Sequence, residues 1–553
     1  MYRNIQVKTP AGKVTVPRGT RINDIVTKEN FPAHHPEIIA VYLNNEVASL
    51  NAPLDINAEL RPITYFDPEG VRVYRRSLCF LFAMVIQKLF PDRRLVIGHS
   101  LANGYYYYYE DEREVPEEEI RKITELMKDY IRKNLPIEPK IYSYCDALEY
   151  FSGNGMEDTA MILEHRNENR IGIHVCDGYL DLSHGPLTSS TGSLGIFEVV
   201  SYGRGMILRY PRHADPYKIH PFEPSPLLFS IYNEYQRWGA ILNVNSAGKL
   251  NRMAKENRIT GFIQVAEALH DKKIAEIAAK IDQNDGSGKI ILIAGPSSSG
   301  KTTFSKKLAI HLTVLGLNPK VINLDNYFLP REKTPKKENK EYDFESLWAI
   351  DVELLNHHLV SLIKGDTVDI PAFDFKEGNR KFGKTKLELA ENDVLMMEGI
   401  HALNDQLTPD IPAERKFKVY VSALTQLNID SRNRISTTDN RLIRRLVRDY
   451  KFRGHLALDT FRMWPSVREG ENKNIFPYQD TADAAFNSAL DYELGVLKEH
   501  AVPLLMEVKP YHQQYHESLR LLSFLDNFVS LPDDQVPPYS ILREFIGGSG
   551  FHY

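Results

Sequence analysis

The feature that most constrains this chain is the segment IILIAGPSSSGKTT, residues 290–303. An apolar run typical of a buried strand breaks into glycine and serine, and the sequence then continues with a helical pattern. The spacing GxxxxGK[ST] is satisfied by Gly295, Gly300, Lys301 and Thr302. Between a strand and a helix, this spacing predicts a loop that binds the phosphates of a nucleoside triphosphate.

The residue types of the loop fit that chemistry, because backbone N–H groups at the start of a helix bind anions. The expected nucleotide-binding residues are Gly295, Pro296, Ser297, Ser298, Ser299, Gly300, Lys301, Thr302 and Thr303. Lys301 is expected to neutralise the β- and γ-phosphate oxygens of ATP, and Thr302 to ligate Mg²⁺. The motif does not specify the phosphoryl acceptor, since GTPases, motor ATPases and small-molecule kinases share it.

The segment KVINLDNYFLP, residues 320–330, begins with a second apolar run, which ends at Asp325. Strand C-termini in a parallel sheet open onto the ligand crevice, so this carboxylate is expected to lie beside the phosphates. A carboxylate there can accept the proton of an attacking hydroxyl. We therefore predict that Asp325 is the catalytic base of a phosphoryl transfer.

The strand followed by Asp-x-[FY]-[FY] resembles the uridine kinase and phosphoribulokinase family. Four further segments agree in order: YDFESLWAID, IPAFDFKEGNRKF, DVLMMEGIHAL and DNRLIRRLVRDYKFRG. The resemblance implies ATP-dependent transfer to the 5′-hydroxyl of a ribonucleoside. It implies that Asp343 or Glu345 holds the ribose hydroxyls. It also implies that Phe373 and Phe375 lie over the base and that Glu398 lies close to Mg²⁺.

The last of these segments resembles the arginine-rich lid of the family. On a helix beginning near Thr438, arginines three and four residues apart share one face: Arg441, Arg444, Arg445 and Arg448. A solvated basic face is the alternative, but a phosphate loop upstream favours phosphate clamping. We expect Arg444 and Arg448 to stabilise the transition state, and Arg453 to join the others when the lid closes.

One departure from the family limits the prediction of the substrate. Uridine kinases carry a tyrosine and, five residues on, a histidine that contact the pyrimidine, where this chain has Phe373 and Gly378. The sequence therefore does not specify which base the nucleoside substrate carries, and a purine nucleoside is an alternative to a pyrimidine nucleoside. Two other functions also stay open: a kinase of another small hydroxyl metabolite, and an RNA-binding regulator that uses the loop as a nucleotide sensor.

The first half of the chain resembles a different family. Residues 1–66 alternate in short strand-like runs and resemble the TGS domain of threonyl-tRNA synthetases, a β-grasp fold, through RGTRINDIV and VASLNAPLDINAELRPIT. Residues 67–225 resemble the editing domain that follows it. The zinc-binding positions of that domain correspond here to Arg76, Phe80, Ser183 and Leu187. Because these are not zinc-ligating types, we expect no zinc and no editing activity.

The remaining residues complete the predicted organisation. Residues 226–284 have apolar residues at three- and four-residue spacing, which predicts a helical linker, and residues 285–553 are predicted to be a P-loop nucleoside kinase domain with a C-terminal tail. The predicted fold class is multidomain α/β, with two α+β domains followed by a parallel sheet flanked by helices. Whether the glycine-containing tail docks on the kinase domain or forms a flap is open.

Composition and hydropathy argue against two other classes of protein, those that bind nucleic acid through a strongly basic surface and those that span a membrane. A net charge of −5, from 68 basic and 73 acidic residues, gives no global signal for nucleic acid. No apolar run approaches the roughly 20 residues of a spanning helix, so we expect no membrane contact and a cytoplasmic location. The dispersed cysteines Cys79, Cys145 and Cys176 suit that compartment. The expected partner is a small-molecule nucleoside, while RNA or tRNA contact through the first half and homo-oligomerisation stay open.

Overall fold

The computed structural model describes residues 4–33, 37–101, 103–283, 290–336, 342–343, 345–374 and 377–552, apart from the side chains of residues 240 and 384. The strands are β1 Asn4–Thr9, β2 Gly12–Pro17, β3 Ile38–Leu43, β4 Glu46–Ser49, β5 Ala58–Thr64, β6 Leu95–Leu101, β7 Gly104–Tyr109, β8 Glu138–Ser143, β9 Arg170–Cys176, β10 Tyr179–Leu182, β11 Glu198–Tyr202, β12 Gly205–Arg209, β13 Ile290–Ala294, β14 Asn318–Asn323, β15 Val368–Asp374, β16 Asn379–Leu387, β17 Asp393–Glu398, β18 Lys416–Ser422 and β19 Ala484–Asn487. The helices are α1 Ile22–Ile25, α2 Pro68–Leu89, α3 Glu117–Lys133, α4 Tyr144–Gly153, α5 Glu157–Leu163, α6 Pro226–Leu242, α7 Ala247–Lys255, α8 Ile259–Gln283, α9 Lys301–Val314, α10 Val352–Ile363, α11 Thr437–Arg453, α12 Ala457–Asn474, α13 Glu493–Met506, α14 Tyr515–Leu525 and α15 Arg543–Ile546.

The N-terminal residues form a mixed five-stranded sheet in the order β2-β1-β5-β3-β4. β1 pairs with β5 in parallel, and the other neighbours are antiparallel. Side chains alternate along β1, so Ile5 and Val7 point into the core, where they pack with Phe31. A single buried face is therefore enough to fix the register of this strand.

The next part of the chain forms two antiparallel sheets, ordered β11-β12-β7-β6 and β10-β9-β8. The long helix α2 packs in their core, with Leu81, Phe82 and Val85 completely buried. Residues 105–109 are five consecutive tyrosines in β7, and Tyr107 and Tyr109 are also buried in this core. Burial of these rings stabilises the fold, and it makes their faces inaccessible to external ligands.

The C-terminal half contains a five-stranded sheet in the order β14-β17-β13-β18-β19, and every neighbouring pair is parallel. Its central strand, β13, is buried at every residue, as expected for a strand covered on both faces. Helix α8, in the segment predicted to be helical, contacts α9 through an ion pair between Asp271 and Lys307 (2.6 Å). The carboxyl ends of the strands form one edge, where ligands bind in sheets of this kind.

The two halves are in contact just before α11. The backbone N–H of Ile97 donates to Ser431 O (2.8 Å), and the Asn428 side-chain amide donates to Ile97 O (2.6 Å). Buried Asp430 accepts a hydrogen bond from Thr159 Oγ1 (3.0 Å). These bonds fix the N-terminal half against the segment that leads into the arginine-rich helix.

The predicted fold class is confirmed: the chain is a multidomain α/β protein with a parallel sheet flanked by helices in its C-terminal half. Among the described residues, no helix has both the length and the apolar character needed to cross a bilayer.

Candidate functional site

The phosphate-binding loop connects β13 to α9, as the sequence pattern predicts. A Cβ at Gly295 would lie 2.0 Å from Val421 O, and Gly300 has a φ of +78°, so both positions require glycine. Within the described part of the chain, Ser298 Oγ and Ser299 Oγ are buried without a hydrogen-bond partner. The loop thus holds polar groups that an anion could satisfy.

Lys301 occupies the first turn of α9. Its Nζ donates to two carbonyl oxygens of the loop, Gly295 O (2.7 Å) and Pro296 O (3.2 Å). Burial lowers the pKa of Lys301, and the carboxylate of Glu398 opposes that effect. The ammonium group therefore lies on the loop's own carbonyl groups, inside the cradle that would surround a phosphate.

Two carboxylates lie at the carboxyl ends of the neighbouring strands β14 and β17. Asp325 retains solvent access, yet desolvation raises its pKa, against the opposing influence of Lys301. Desolvation also raises the pKa of Glu398, and the negative charge of Asp325 adds to that effect. The structure thus brings Asp325, Glu398 and Lys301 into one electrostatic cluster.

Thr302 and Glu398 have the chemistry of a magnesium site. Thr302 Oγ1 donates to Glu398 Oε1 (3.2 Å), while Glu398 Oε2 is buried without a hydrogen-bond partner in the described ranges. Hydroxyl and carboxylate oxygens are ligands that Mg²⁺ prefers. An orphaned buried carboxylate oxygen beside the loop therefore fits a bound cation.

The first arginine of the predicted lid is committed to a carboxylate. Arg441 is 1% exposed and forms a buried ion pair with Glu471 (2.5 Å). The same carboxylate accepts the N–H of Ser297 (2.8 Å), and Arg441 donates to Ser297 O (3.1 Å). Although burial opposes it, the neighbouring guanidinium groups hold the pKa of Glu471 below its ordinary value.

Arg444 is also buried, and it forms an ion pair with Glu493. Its guanidinium group donates to Ser298 O (3.3 Å) and to Ser488 O (2.7 Å). Arg441 and Arg444 thus support the loop through its carbonyl groups. Direct contact of these two arginines with phosphate stays a prediction, and it would require them to leave their carboxylate partners.

The other lid arginines lie around Asp449, which is completely buried. Arg445 donates to Asp449 Oδ2 (3.0 Å) and to the loop hydroxyl Ser297 Oγ (2.8 Å). Arg453 donates to Asp449 Oδ1 (3.2 Å) and keeps half of its side chain exposed. Burial lowers the pKa of Arg448 to about 10, so this side chain remains a cation at neutral pH. Arg445 thus contacts a side-chain hydroxyl of the loop, whereas Arg441 and Arg444 contact its carbonyl groups.

Removing a buried ion pair tests the structural role of Arg444. The substitution Arg444→Met is expected to lower the free energy of unfolding by about 3–5 kcal/mol, because Glu493 would remain buried without its cation. Arg453→Ala is the matched control, with an expected loss of at most about 1 kcal/mol, since Arg453 is half exposed. Urea denaturation followed by circular dichroism measures both. Equal losses in the two variants would contradict the structural role.

The predicted acceptor residues lie on segments outside the parallel sheet, and β15 pairs with β16 in a two-stranded sheet of its own. Phe373, at the end of β15, contacts Phe328 with ring centroids 5.7 Å apart. Phe375 lies outside the described residues. The backbone oxygen of Glu345 accepts a hydrogen bond from Asn474 on α12 (2.7 Å), so the acceptor segment is bound to the helix that follows the lid.

His401 is a site residue that the sequence prediction missed. It follows Glu398 by three positions and is 2% exposed. Burial lowers its pKa to about 4, while Glu345 and Asp343 act in the opposite direction. A neutral imidazole is thus close to the backbone of Glu345 and to the charge of Asp343, the two acidic residues predicted to hold the ribose.

Sequence reasoning also missed three carboxylates around the loop and lid. Glu471 and Glu493 neutralise lid arginines. Glu544 accepts hydrogen bonds from Thr303 N (3.2 Å) and Thr303 Oγ1 (2.7 Å) across a separation of 241 residues. No local pattern marks partners so far apart along the chain, so no sequence signal could have identified them.

In the N-terminal half, three of the four positions predicted to replace the zinc ligands line one small cavity of about 20 Å³, roughly the space of a single water molecule. Its lining includes Arg76, Phe80, His174, His184, Leu187 and Arg432. Ser183 Oγ lies 3.1 Å from His174 Nε2. Arg432 comes from the C-terminal half, so the contact between the halves helps to line this cavity.

Known proteins of two different kinds match the two halves of the chain. Residues 290–494 match the model of the Phosphoribulokinase / Uridine kinase family. The threonine-tRNA ligase of Francisella tularensis subsp. novicida (strain U112) is 27% identical over 184 residues, which are 32% of this chain and 29% of the ligase. The chain therefore spans less than a third of the length of that relative.

Two solved structures resemble the chain. A kinase ascribed to a fructose transport system of Silicibacter sp. TM1040 is 18% identical, with a TM-score of 0.28, over 38% of this chain and 98% of that chain. A protein ascribed to the uridine kinases of Bacillus stearothermophilus is 19% identical, with a TM-score of 0.24, over 36% of this chain and 88% of that chain. The chain thus joins an N-terminal half similar to threonine-tRNA ligases to a C-terminal segment, residues 290–494, that matches the model of the phosphoribulokinase and uridine kinase family.

Proposed function

We propose that this chain is an ATP-dependent kinase that transfers the γ-phosphoryl group to the 5′-hydroxyl of a ribonucleoside. The observation that carries this proposal is the convergence of Lys301, Thr302, Asp325 and Glu398 at the carboxyl edge of the parallel sheet. A phosphate loop alone would serve any triphosphate reaction. The added carboxylate at the end of β14 favours transfer to a hydroxyl.

Each residue then has a chemical role. Asp325 accepts the proton of the attacking hydroxyl, and its raised pKa makes it a better base than an ordinary aspartate. Lys301 would leave the loop carbonyls and neutralise the β- and γ-phosphate oxygens. Thr302 and Glu398 would hold Mg²⁺, which neutralises phosphate charge when it is bound. Arg448 supplies a further cation beside the loop.

The acceptor side supports a neutral polyhydroxyl substrate. Asp343 and Glu345 can accept hydrogen bonds from ribose hydroxyls, and neutral His401 lies against them. Phe373 offers an aromatic face for a base. Acidic and aromatic groups of this kind disfavour a sugar phosphate, whose second anionic group would need a cation.

A panel of ribonucleosides assayed with ATP and Mg²⁺ tests this function. We expect a 5′-monophosphate product from at least one nucleoside, detected by mass spectrometry. The matched control is the 5′-deoxy analogue of that nucleoside, which lacks the acceptor oxygen and should give no product. Phosphorylation of a sugar or glycerate in place of every nucleoside would support the alternative of another small hydroxyl substrate.

We further propose a binding, regulatory or assembly role for the N-terminal half. Its contacts with residues 428–431 lead directly into α11, so a ligand of this half could act on the lid. Repeating the kinase assay with added tRNA tests the RNA alternative. A change in rate that requires tRNA would support it, and identical rates would argue against it.

A further inference from the structure

The C-terminal segment, residues 531–552, packs against the phosphate-binding loop. Its apolar side chains Ile541, Leu542 and Phe545 are completely buried. A Cβ at Gly300 would lie 2.5 Å from Ile541 Cγ2, so this segment contacts the loop itself. The segment is therefore docked on the loop. The sequence alone did not distinguish this arrangement from a flap.

Glu544, on α15, points its carboxylate at the start of α9. Its Oε2 accepts from Thr303 N (3.2 Å) and Thr303 Oγ1 (2.7 Å), and Arg448 Nη1 lies 4.0 Å from its Oε1. The Glu544 side chain is 10% exposed. The N–H of Thr303 belongs to the first turn of the helix, where donors have no intrahelical partner and bind phosphates. The carboxylate thus occupies an anion position that a bound nucleotide requires.

Other cations near the loop are engaged by the same segment. Lys451 Nζ donates to Ile546 O (2.6 Å), and Lys306 Nζ donates to His552 O. The guanidinium carbon of Arg444 lies 4.9 Å from the centroid of the Phe545 ring. Together with the ammonium of Lys301 on its own loop, these contacts give four cationic side chains a partner within the protein in place of a phosphate.

We propose that residues 531–552 form an autoinhibitory plug, in which Glu544 takes the place of a nucleotide phosphate. ATP then binds only when Glu544 leaves Thr303, because the carboxylate and a phosphate would compete for the same donors and repel each other. Competition of this kind lowers the apparent affinity for nucleotide by the fraction of molecules that are open. The inference rests on the proposed function only in taking a nucleoside triphosphate as the ligand of the loop.

Binding of ATP to the full chain, measured by calorimetry with Mg²⁺ and no acceptor, tests this plug. Glu544→Gln keeps the side-chain shape and removes its charge, and we expect ATP to bind about tenfold or more tightly. The matched control is Asp534→Asn, which removes one exposed carboxylate of the same segment and should leave the affinity unchanged. Glu544→Ala should act in the same direction as Glu544→Gln.

Hydrogen exchange of the unmodified protein gives a second measurement. Addition of ATP and Mg²⁺ should increase exchange at residues 540–550 while protecting the amide of Thr303. Unchanged or weaker ATP binding in Glu544→Gln would overturn the proposal, and weaker binding would instead make Glu544 a ligand of the nucleotide or its metal. Because the binding assay contains no acceptor, a failure to phosphorylate nucleosides would refute the proposed function and leave the plug intact.

Discussion

Replacing Asp325 with alanine is expected to lower kcat at least about a hundredfold, the usual contribution of a general base. ATP affinity should change little, because Asp325 follows β14 and lies outside the loop of residues 295–303. Steady-state kinetics and calorimetry on the same variant separate the two effects. Asp366→Ala, at an exposed position after α10, is the matched control and should keep the full rate. A near-normal rate for Asp325→Ala would remove Asp325 from the mechanism.

The pH dependence of the unmodified protein checks the same residue. Desolvation raises the pKa of Asp325. An ordinary aspartate has a pKa of about 3.9, so the Asp325 carboxylate becomes protonated at a higher pH than that. Protonation removes the base, and kcat/KM should therefore fall as the pH drops through that raised value. Glu398→Gln should alter the Mg²⁺ dependence and still show an acid limb, because Asp325 is unchanged. An acid limb at an ordinary aspartate pKa would contradict the raised value.

Replacing Lys301 with methionine is expected to produce the second large effect. The ammonium is placed to move from Gly295 O and Pro296 O to the phosphates, and no other cation in the described part of the chain occupies that first turn. Loss of one such charge-stabilising group costs about 10²–10³ in kcat. In contrast to Asp325→Ala, this variant should also bind ATP more weakly, since the ground state loses the same contact.

Lys364→Met, at an exposed position at the end of α10, is the control for Lys301→Met. Calorimetry should give the same ATP affinity for this control and for the unmodified protein. Tight ATP binding with full turnover in Lys301→Met would show that the loop does not hold the reacting phosphates.

The positions of the candidate site residues at the carboxyl edge of the sheet were predictable from the sequence, because the segments that carry them are local. The loop is one contiguous motif, and the ends of the apolar runs that become β14 and β17 mark Asp325 and Glu398. The start of α11 was also predicted within one residue, at Thr437 rather than Thr438. In these cases the residues that determine the structure are neighbours in the chain, so spacing alone carries the information.

The state of the lid arginines was not predictable in the same way. Spacing placed Arg441, Arg444, Arg445 and Arg448 on one helix face, and the structure puts them together. Their charges, however, are met by carboxylates contributed by α11, α12, α13 and α15. An arginine pattern cannot reveal which acidic groups will be buried beside it, because burial depends on the packing of distant helices.

The sequence by itself determined that this chain carries a nucleotide-phosphate loop, a carboxylate at the end of the following strand and an N-terminal half similar to threonyl-tRNA synthetases. Only the tertiary structure decided that Arg441 and Arg444 support the loop from buried ion pairs, and that Glu544 accepts hydrogen bonds from Thr303 in the first turn of α9. The physical reason is the range of the interactions. Strand, turn and helix preferences act over a few residues, whereas the partner of a buried charge is chosen by the whole fold.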